Sequence, residues 1–331
     1  MVLDLNSLSI FSFKTMKKFI LFFAFFSVII FCFLYSINYI IDKGLRKTGD
    51  WNFKVWNDIF DSKINADILI QGNSRAYVHF SPHIIDSILG VNSYNIGYDG
   101  LQFQQQYYRY MAYEKYNKLP KVIIQNVDVF TFTKQEKIDM NGLLPHLYDS
   151  NIKQILKASG YNEFDMYLLP ITKYFGQYST VIKGSMEYLH IKHFQFSSIK
   201  KGYLPKFAVW DGRAFNQIKD TKEKIHSSKD IEIINLFESF LKYCKENNIY
   251  VILVYSPQYK ELLEIIEDLD EFHLFIKSMA NEYGFTYLDY TGDTICIDTT
   301  YFYNANHLNA TGSEIFSTKV ANDIKDIGLL K

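Results

Sequence analysis

The chain has 331 residues, long enough for one large domain or two smaller ones, and its 48% hydrophobic content supports a substantial core. A net charge of −1, with no basic stripe along the chain, leaves no electrostatic case for nucleic acid as a partner. Three cysteines, Cys32, Cys244 and Cys296, are too few for a disulfide framework and read as buried or free thiols.

From Phe19 to Ile41 the chain is apolar apart from Ser27, Ser36 and Asn38, and roughly 20 such residues cross a bilayer as a helix. Residues 19–41 are therefore read as one membrane span, after a leader at 1–18 that is placed in the cytoplasm. The run is longer than a signal-peptide core and no small-x-small site follows it, which argues against cleavage. Bulky Phe31 before Cys32 argues against lipid attachment, and Met16-Lys-Lys18 reads as a natural start. Lys14, Lys17 and Lys18 before the span are matched by Lys43, Arg46 and Lys47 after it, so the positive-inside rule does not choose an orientation. Residues 42–64 read as a juxtamembrane connector; its Trp51, Phe53, Trp56 and Phe60 suit either the headgroup level or the start of the fold.

The rest of the chain, 65–331, is expected to fold as one α/β domain. Ile68-Leu69-Ile70 is a short, continuous, β-branched run, the signature of a parallel strand covered on both faces, and Gly72-Asn73-Ser74 turns sharply at its end. Ser81-Pro82 reads as N-cap and first residue of a helix to Leu89. A short strand within 91–100 precedes a helix from Leu101 to Tyr116, and 120–130 supplies a third strand. Strand, helix, strand, helix, strand implies a parallel sheet with right-handed crossovers. Residues 131–228 break the rhythm with scattered Gly, Pro and aromatics and a helical stretch near Asn151–Ser159; they read as an insertion over the carboxyl edge of the sheet. A helix at 230–248, strands at 250–257 and 285–290, a helix at about 269–282 and a closing helix at 311–327 restore the pattern.

Two segments carry chemistry. Ser74 lies where a strand delivers a side chain to a tight turn, and His307 stands in the polar loop Asn304-Ala-Asn-His-Leu-Asn-Ala-Thr-Gly312 before the last helix. Both are expected at the carboxyl edge of one sheet, the relation a serine nucleophile needs to its general base. His190 and His193 are spaced i, i+3, but no Glu or Cys completes a metal set, and no cofactor motif is present. Asn309-Ala-Thr311 matches a glycosylation acceptor, yet it falls inside the histidine loop.

A strand ending Gly-x-Ser, a second ending Asn95-x-Gly97-x-x-Gly100, and a C-terminal His307-Leu-Asn-x-x-Gly312 together resemble the SGNH/GDSL hydrolases over about 66–130 and 230–327. The resemblance implies a flavodoxin-like three-layer α/β/α fold with about five parallel strands. It implies ester chemistry with Ser74 as nucleophile and His307 as base, Ser74 and Gly100 amides as oxyanion donors, and Gly97 at the turn. The family's third donor is an Asn after the third strand; Asn126 is favoured over Asp128, because an ionised carboxylate would repel an oxyanion. Where the family has Asp three residues before the histidine, this chain has Asn304. In serine proteases the corresponding Asp→Asn change costs about 10⁴ in turnover. Three outcomes follow: a Ser-His pair oriented by Asn304, an acid recruited from Asp298 or Asp293, or an inactive site. With Asn304 merely orienting, the His307 pKa is expected near the unperturbed value of about 6.5.

Membrane-anchored relatives handle acyl groups on envelope polymers. The expected function is hydrolysis or transfer of acyl, chiefly acetyl, esters on an envelope carbohydrate, by a single-pass protein of the inner (plasma) membrane whose domain faces away from the cytoplasm. Envelope-assembly proteins are the expected partners besides substrate and membrane. The alternative is a non-catalytic carbohydrate-binding or polysaccharide-assembly factor on the same fold.

Overall fold

The computed structural model describes residues 13–134, 141–150, 152–153, 170–195, 199–221 and 223–329. Five parallel strands form its sheet: β1 (Ile68–Gln71), β2 (Ser93–Asn95), β3 (Val122–Asn126), β4 (Tyr250–Tyr255) and β5 (Thr286–Asp289), in the order β2-β1-β3-β4-β5. This is the strand order of flavodoxin-like folds, whose direction of winding reverses between β1 and β3. Strands buried on both faces explain the unbroken apolar runs. Ile68 and Ile70 point to one layer, with Ile124, Ile252 and Val254, while Leu69, Ile123, Val251 and Leu253 point to the other.

Helices fill both layers. One holds α4 (Pro82–Leu89) and α10 (Ala310–Ile327), and its core includes Ile85, Phe316, Val320 and Ile324. The opposite layer holds α5 (Phe103–Tyr116), α8 (Ile231–Glu246) and α9 (Leu269–Tyr283), with Phe103, Phe237, Phe240 and Phe272 packed together. The helical period of Ile233, Phe237, Phe240, Leu241 and Cys244 is the face that α8 buries. Asp230 caps that helix, accepting from the amides of Glu232 and Ile233.

The N-terminal helix α1 (Phe13–Leu45) is long and apolar enough to cross a membrane, and its Phe19–Phe33 stretch lies bare of the rest of the protein. Its last turns behave differently. Ile41, Asp42 and Leu45 are buried in the domain. The next helix, α2 (Trp51–Phe60), buries Phe53, Val55, Trp56 and Ile59 in the main core. The segment after the apolar stretch of α1 thus begins the fold, with Phe53 and Trp56 in the core and Trp51 and Phe60 half-buried at its margin.

The described parts of 131–228 take two different places. Asn141–His146 and α6 (Tyr178–Tyr188) pack on the carboxyl end of α1, so close that a Cβ on Gly44 would meet the Gly184 carbonyl oxygen at 1.7 Å. Residues 199–206 instead lie beside the carboxyl edge of the sheet, where the Leu204 amide donates to the Tyr77 carbonyl. A further helix, α7 (Arg213–Thr221), sets Phe215 against Trp210 and Tyr259. Of the helical stretch expected near 151–159, only 152 and 153 are described, and both are helical; the remainder lies outside the described residues.

Candidate active site

The chain turns into the site within three residues of β1. Gly72 has φ +151°, and a Cβ there would meet the Cβ atoms of Ala76 at 2.7 Å and Asn126 at 2.9 Å, so only glycine fits. Asn73 accepts from the Arg75 amide and caps a six-residue helix, α3 (Ser74–His79), which Ser74 opens. Sequence periodicity cannot show so short a helix; the strand therefore delivers Ser74 more abruptly than a turn leading to the helix at Pro82.

Two buried charges hold this turn. Arg75 donates to the carbonyls of Ser256 (3.0 Å) and Val127 (3.1 Å), pairs with Asp128 at 3.4 Å and lies over the Tyr255 ring. Asp128 also accepts from the Asn73 side chain and the Phe130 amide. These bonds stitch the ends of β3 and β4 to the Ser74 turn.

His307 arrives from the other side on a hairpin. The short strands β6 (Phe302–Asn304) and β7 (His307–Leu308) pair antiparallel with Asn304 opposite His307, which explains the three-residue spacing between them. His307 Nε2 is 2.7 Å from Ser74 Oγ, and Nδ1 is 2.9 Å from Asn304 Oδ1. That Asn304 oxygen also accepts from the Asn306 amide at 3.0 Å, which identifies it as oxygen rather than amide nitrogen. An oxygen acceptor requires the proton on Nδ1. Nε2 then presents its lone pair to the Ser74 hydroxyl, the relation of base to nucleophile. Tyr303 stacks on the His307 ring at 5.3 Å.

The two recruited-acid alternatives fail on geometry. Asp293 caps the Ile295 turn and pairs with Lys319, and Asp298 caps the turn at Thr300. Among the described residues no carboxylate hydrogen-bonds the His307 ring, and its pKa departs from the ordinary value. Burial, and then the Arg75 charge, push it down to about 4, against the 6.5 expected for an orienting amide in an open loop.

Asn126, the last residue of β3, is 2% exposed, and neither its Nδ2 nor its Oδ1 has a hydrogen-bond partner among the described residues. Gly100 occupies a left-handed turn at φ +73° after β2, next to Asp99. Gly97 packs under α3, where a Cβ would meet the Tyr77 amide at 2.9 Å; its own amide donates to Asn95 Oδ1. Asn95 Nδ2 donates in turn to the Ala76 and Phe80 carbonyls, clamping α3 against β2.

Sequence reading missed His79. It is fully buried, accepts from the Leu308 amide at Nε2 (3.0 Å) and therefore donates from Nδ1 to Ser256 Oγ (3.0 Å). Burial holds its pKa well below the ordinary value, with His307 and Arg75 adding to the effect. His79 thus positions the backbone immediately after His307, and a lone histidine in sequence gives no sign of this. Asn309 is also engaged, accepting from the Gly312 amide and donating to the Thr300 carbonyl as the N-cap of α10. Of the histidine pair His190 and His193, His193 pairs with Glu187.

A cavity of about 250 Å³ opens beside Ser74, lined by Trp51, Tyr77, Val78, Asp99, Leu204, Lys206 and Tyr303. Its walls come from α2, α3, the turn after β2, the 199–206 segment and the histidine hairpin. The Tyr77 hydroxyl is buried there without a hydrogen-bond partner among the described residues.

No family model matches this chain. No curated protein matches it either. Among solved structures it is similar to a provisionally named acylhydrolase from Bacteroides fragilis, at 12% identity and a TM-score of 0.33, covering 78% of this chain and 86% of that one.

Proposed function

We propose that the protein is an SGNH-type serine esterase or O-acyltransferase. The observation that carries this reading is the hydrogen-bonded series from Ser74 Oγ to His307 Nε2 and from Nδ1 to Asn304, at the carboxyl ends of β1 and β3 where the winding of the sheet reverses. His307 takes the Ser74 proton as Oγ attacks an ester carbonyl. The Ser74 and Gly100 amides and Asn126 Nδ2 receive the oxyanion, and His307 returns the proton to the leaving alcohol. Water or a sugar hydroxyl then resolves the acyl-enzyme. The small cavity suits a short acyl group such as acetyl. Its aromatic walls, the buried Tyr77 hydroxyl, Asp99 and Lys206 suit a sugar ring, which supports an envelope carbohydrate as the acyl carrier.

Location supports the same reading. Trp51 in the cavity wall follows Leu45, the end of α1, by six residues, a reach of at most about 20 Å. Ser74 then works close to a membrane surface, and we place that surface outside the cytoplasm. Alkaline phosphatase fused after Lys331 is expected to be active in a bacterial host; activity only from a cytoplasmic reporter at the same position overturns the placement.

Neutral His307 is the active form, so acidification below its depressed pKa removes activity. Hydrolysis of p-nitrophenyl acetate by the full-length protein is expected to rise through about pH 4 and then level off. Asn304→Asp places a carboxylate against Nδ1, shifts the rising limb to higher pH and increases the plateau about 10-fold or more. Asp298→Ala, which removes only a turn cap, leaves both unchanged. A rising limb that Asn304→Asp does not move removes His307 from the base role. Asn304 also favours the second reading, a non-catalytic carbohydrate-binding or assembly factor, and absence of hydrolysis in both wild type and Asn304→Asp selects it.

A further inference from the structure

A second cavity, of about 690 Å³ and remote from Ser74 in its lining, lies between the carboxyl end of α1 and the segments packed on it. At about 1.5 Å of rise per residue, a hydrocarbon core about 30 Å thick that begins at Phe19 ends near Asn38. Asn38, Tyr39, Lys43 and Arg46 of the cavity wall therefore fall at headgroup depth once α1 crosses a bilayer, with Tyr35 one turn below them. The ring residues Tyr148 and Tyr188 close the other side, at the depth where aromatic side chains favour the membrane boundary.

The charge of the cavity is set by which groups are already matched. Asp42 is buried and accepts from Lys173 (2.8 Å), from the Tyr174 hydroxyl (2.5 Å) and from Asn38 Nδ2 (3.1 Å), so its negative charge is spent within the fold. Arg46 donates through Nε and Nη2 to a neutral carbonyl, that of Pro145, and Lys43 lies 5.6 Å over the Tyr39 ring. Neither cation faces a carboxylate salt-bridge partner among the described residues. Asn38 Oδ1, in a residue 4% exposed, accepts no hydrogen bond among the described residues. Two cations and a buried acceptor without a partner among the described residues thus sit at the top of a bare apolar helix. On α6, Tyr178 and Ile182 are exposed.

We propose that this cavity binds an anionic phospholipid with a hydroxylated headgroup, of the phosphatidylglycerol kind. Lys43 and Arg46 receive the phosphate, Asn38 Oδ1 accepts from a headgroup hydroxyl, and the acyl chains run down the exposed face of α1. A bound lipid there fixes the height of the domain above the membrane, because the same turn of α1 is locked into the core through Asp42 and Leu45. The site is independent of the reading of Ser74.

The test uses the full-length protein in neutral detergent, titrated separately with phosphatidylglycerol, phosphatidylcholine and inorganic phosphate and followed by native mass spectrometry. Phosphatidylglycerol is expected to bind as a discrete one-to-one adduct, phosphatidylcholine about 10-fold or more weakly, and phosphate not at the same concentrations. Lys43→Glu should weaken phosphatidylglycerol about 10-fold or more, whereas Lys47→Glu, an exposed charge just outside the cavity, should leave it unchanged. Equal binding of both lipids, or an equal loss in both variants, overturns the site in favour of general surface charge. Binding of inorganic phosphate with the affinity of the lipid overturns the lipid as the ligand. Carbonate extraction of each variant checks separately that α1 still inserts.

Discussion

Ser74→Ala is expected to abolish labelling of the full-length protein by a fluorophosphonate probe and to lower ester turnover by about 10⁴-fold or more, the scale on which serine hydrolases lose activity with their nucleophile. The reason is chemical. His307 Nε2 faces one acidic proton, that of the Ser74 hydroxyl at 2.7 Å, and the cavity opens directly beside it. The variant should fold normally. The methyl group of alanine fits the space of a serine side chain, and the cap on α3 comes from Asn73 rather than Ser74. Labelling is read by gel fluorescence and stability by thermal melting. Unchanged labelling in Ser74→Ala would take Ser74 out of its role; loss of labelling with a collapsed melt would show only a folding defect. In the latter case Ser74→Cys, which preserves shape while replacing the hydroxyl with a thiol, separates the two.

Asn126→Ala is expected to lower turnover about 10²-fold to 10³-fold while leaving the melting temperature unchanged or raised. Opposite directions for activity and stability follow from one observation. An amide buried with neither end hydrogen-bonded costs on the order of 1–3 kcal/mol in the resting protein. Removing it relieves that cost, so a structural amide would have been a poor choice for this position. The unpartnered Nδ2 becomes useful when an oxyanion forms next to Ser74, and the interaction is then made in the transition state alone. Steady-state kinetics on p-nitrophenyl acetate should show the loss in kcat with little change in KM. A loss confined to KM, or a variant that melts several degrees lower with normal kcat, would assign Asn126 to packing instead.

Much of the fold was legible in the chain. Parallel strands covered on both faces must be continuously apolar, and Ile68–Ile70, Val122–Ile124 and Tyr250–Tyr255 are; amphipathic helices such as Ile231–Glu246 announce themselves by period. Order along the chain then prescribed a parallel sheet, and placed Ser74 and His307 at its carboxyl edge. Local sequence also accounts for the Asn304–His307 contact, since a two-residue turn makes the third neighbour a cross-strand partner.

The tertiary structure decided what depends on burial and on distant neighbours. Whether His307 titrates near 6.5 or about 4 is set by desolvation and by Arg75, far from it in sequence. Asp293 and Asp298 cap turns and are thereby kept from the His307 ring. His79 serves His307 through a backbone amide, and no side-chain pattern encodes such a bond. That α1 is long and apolar enough to cross a membrane was written in composition, because a bilayer demands apolar length and little else. The docking of the last turn of α1 and the placing of Trp51 in the wall beside Ser74 were not, because they arise when α1, α2 and residues 141–146, 178–188 and 199–206 pack together, and each covers a surface that only the others create.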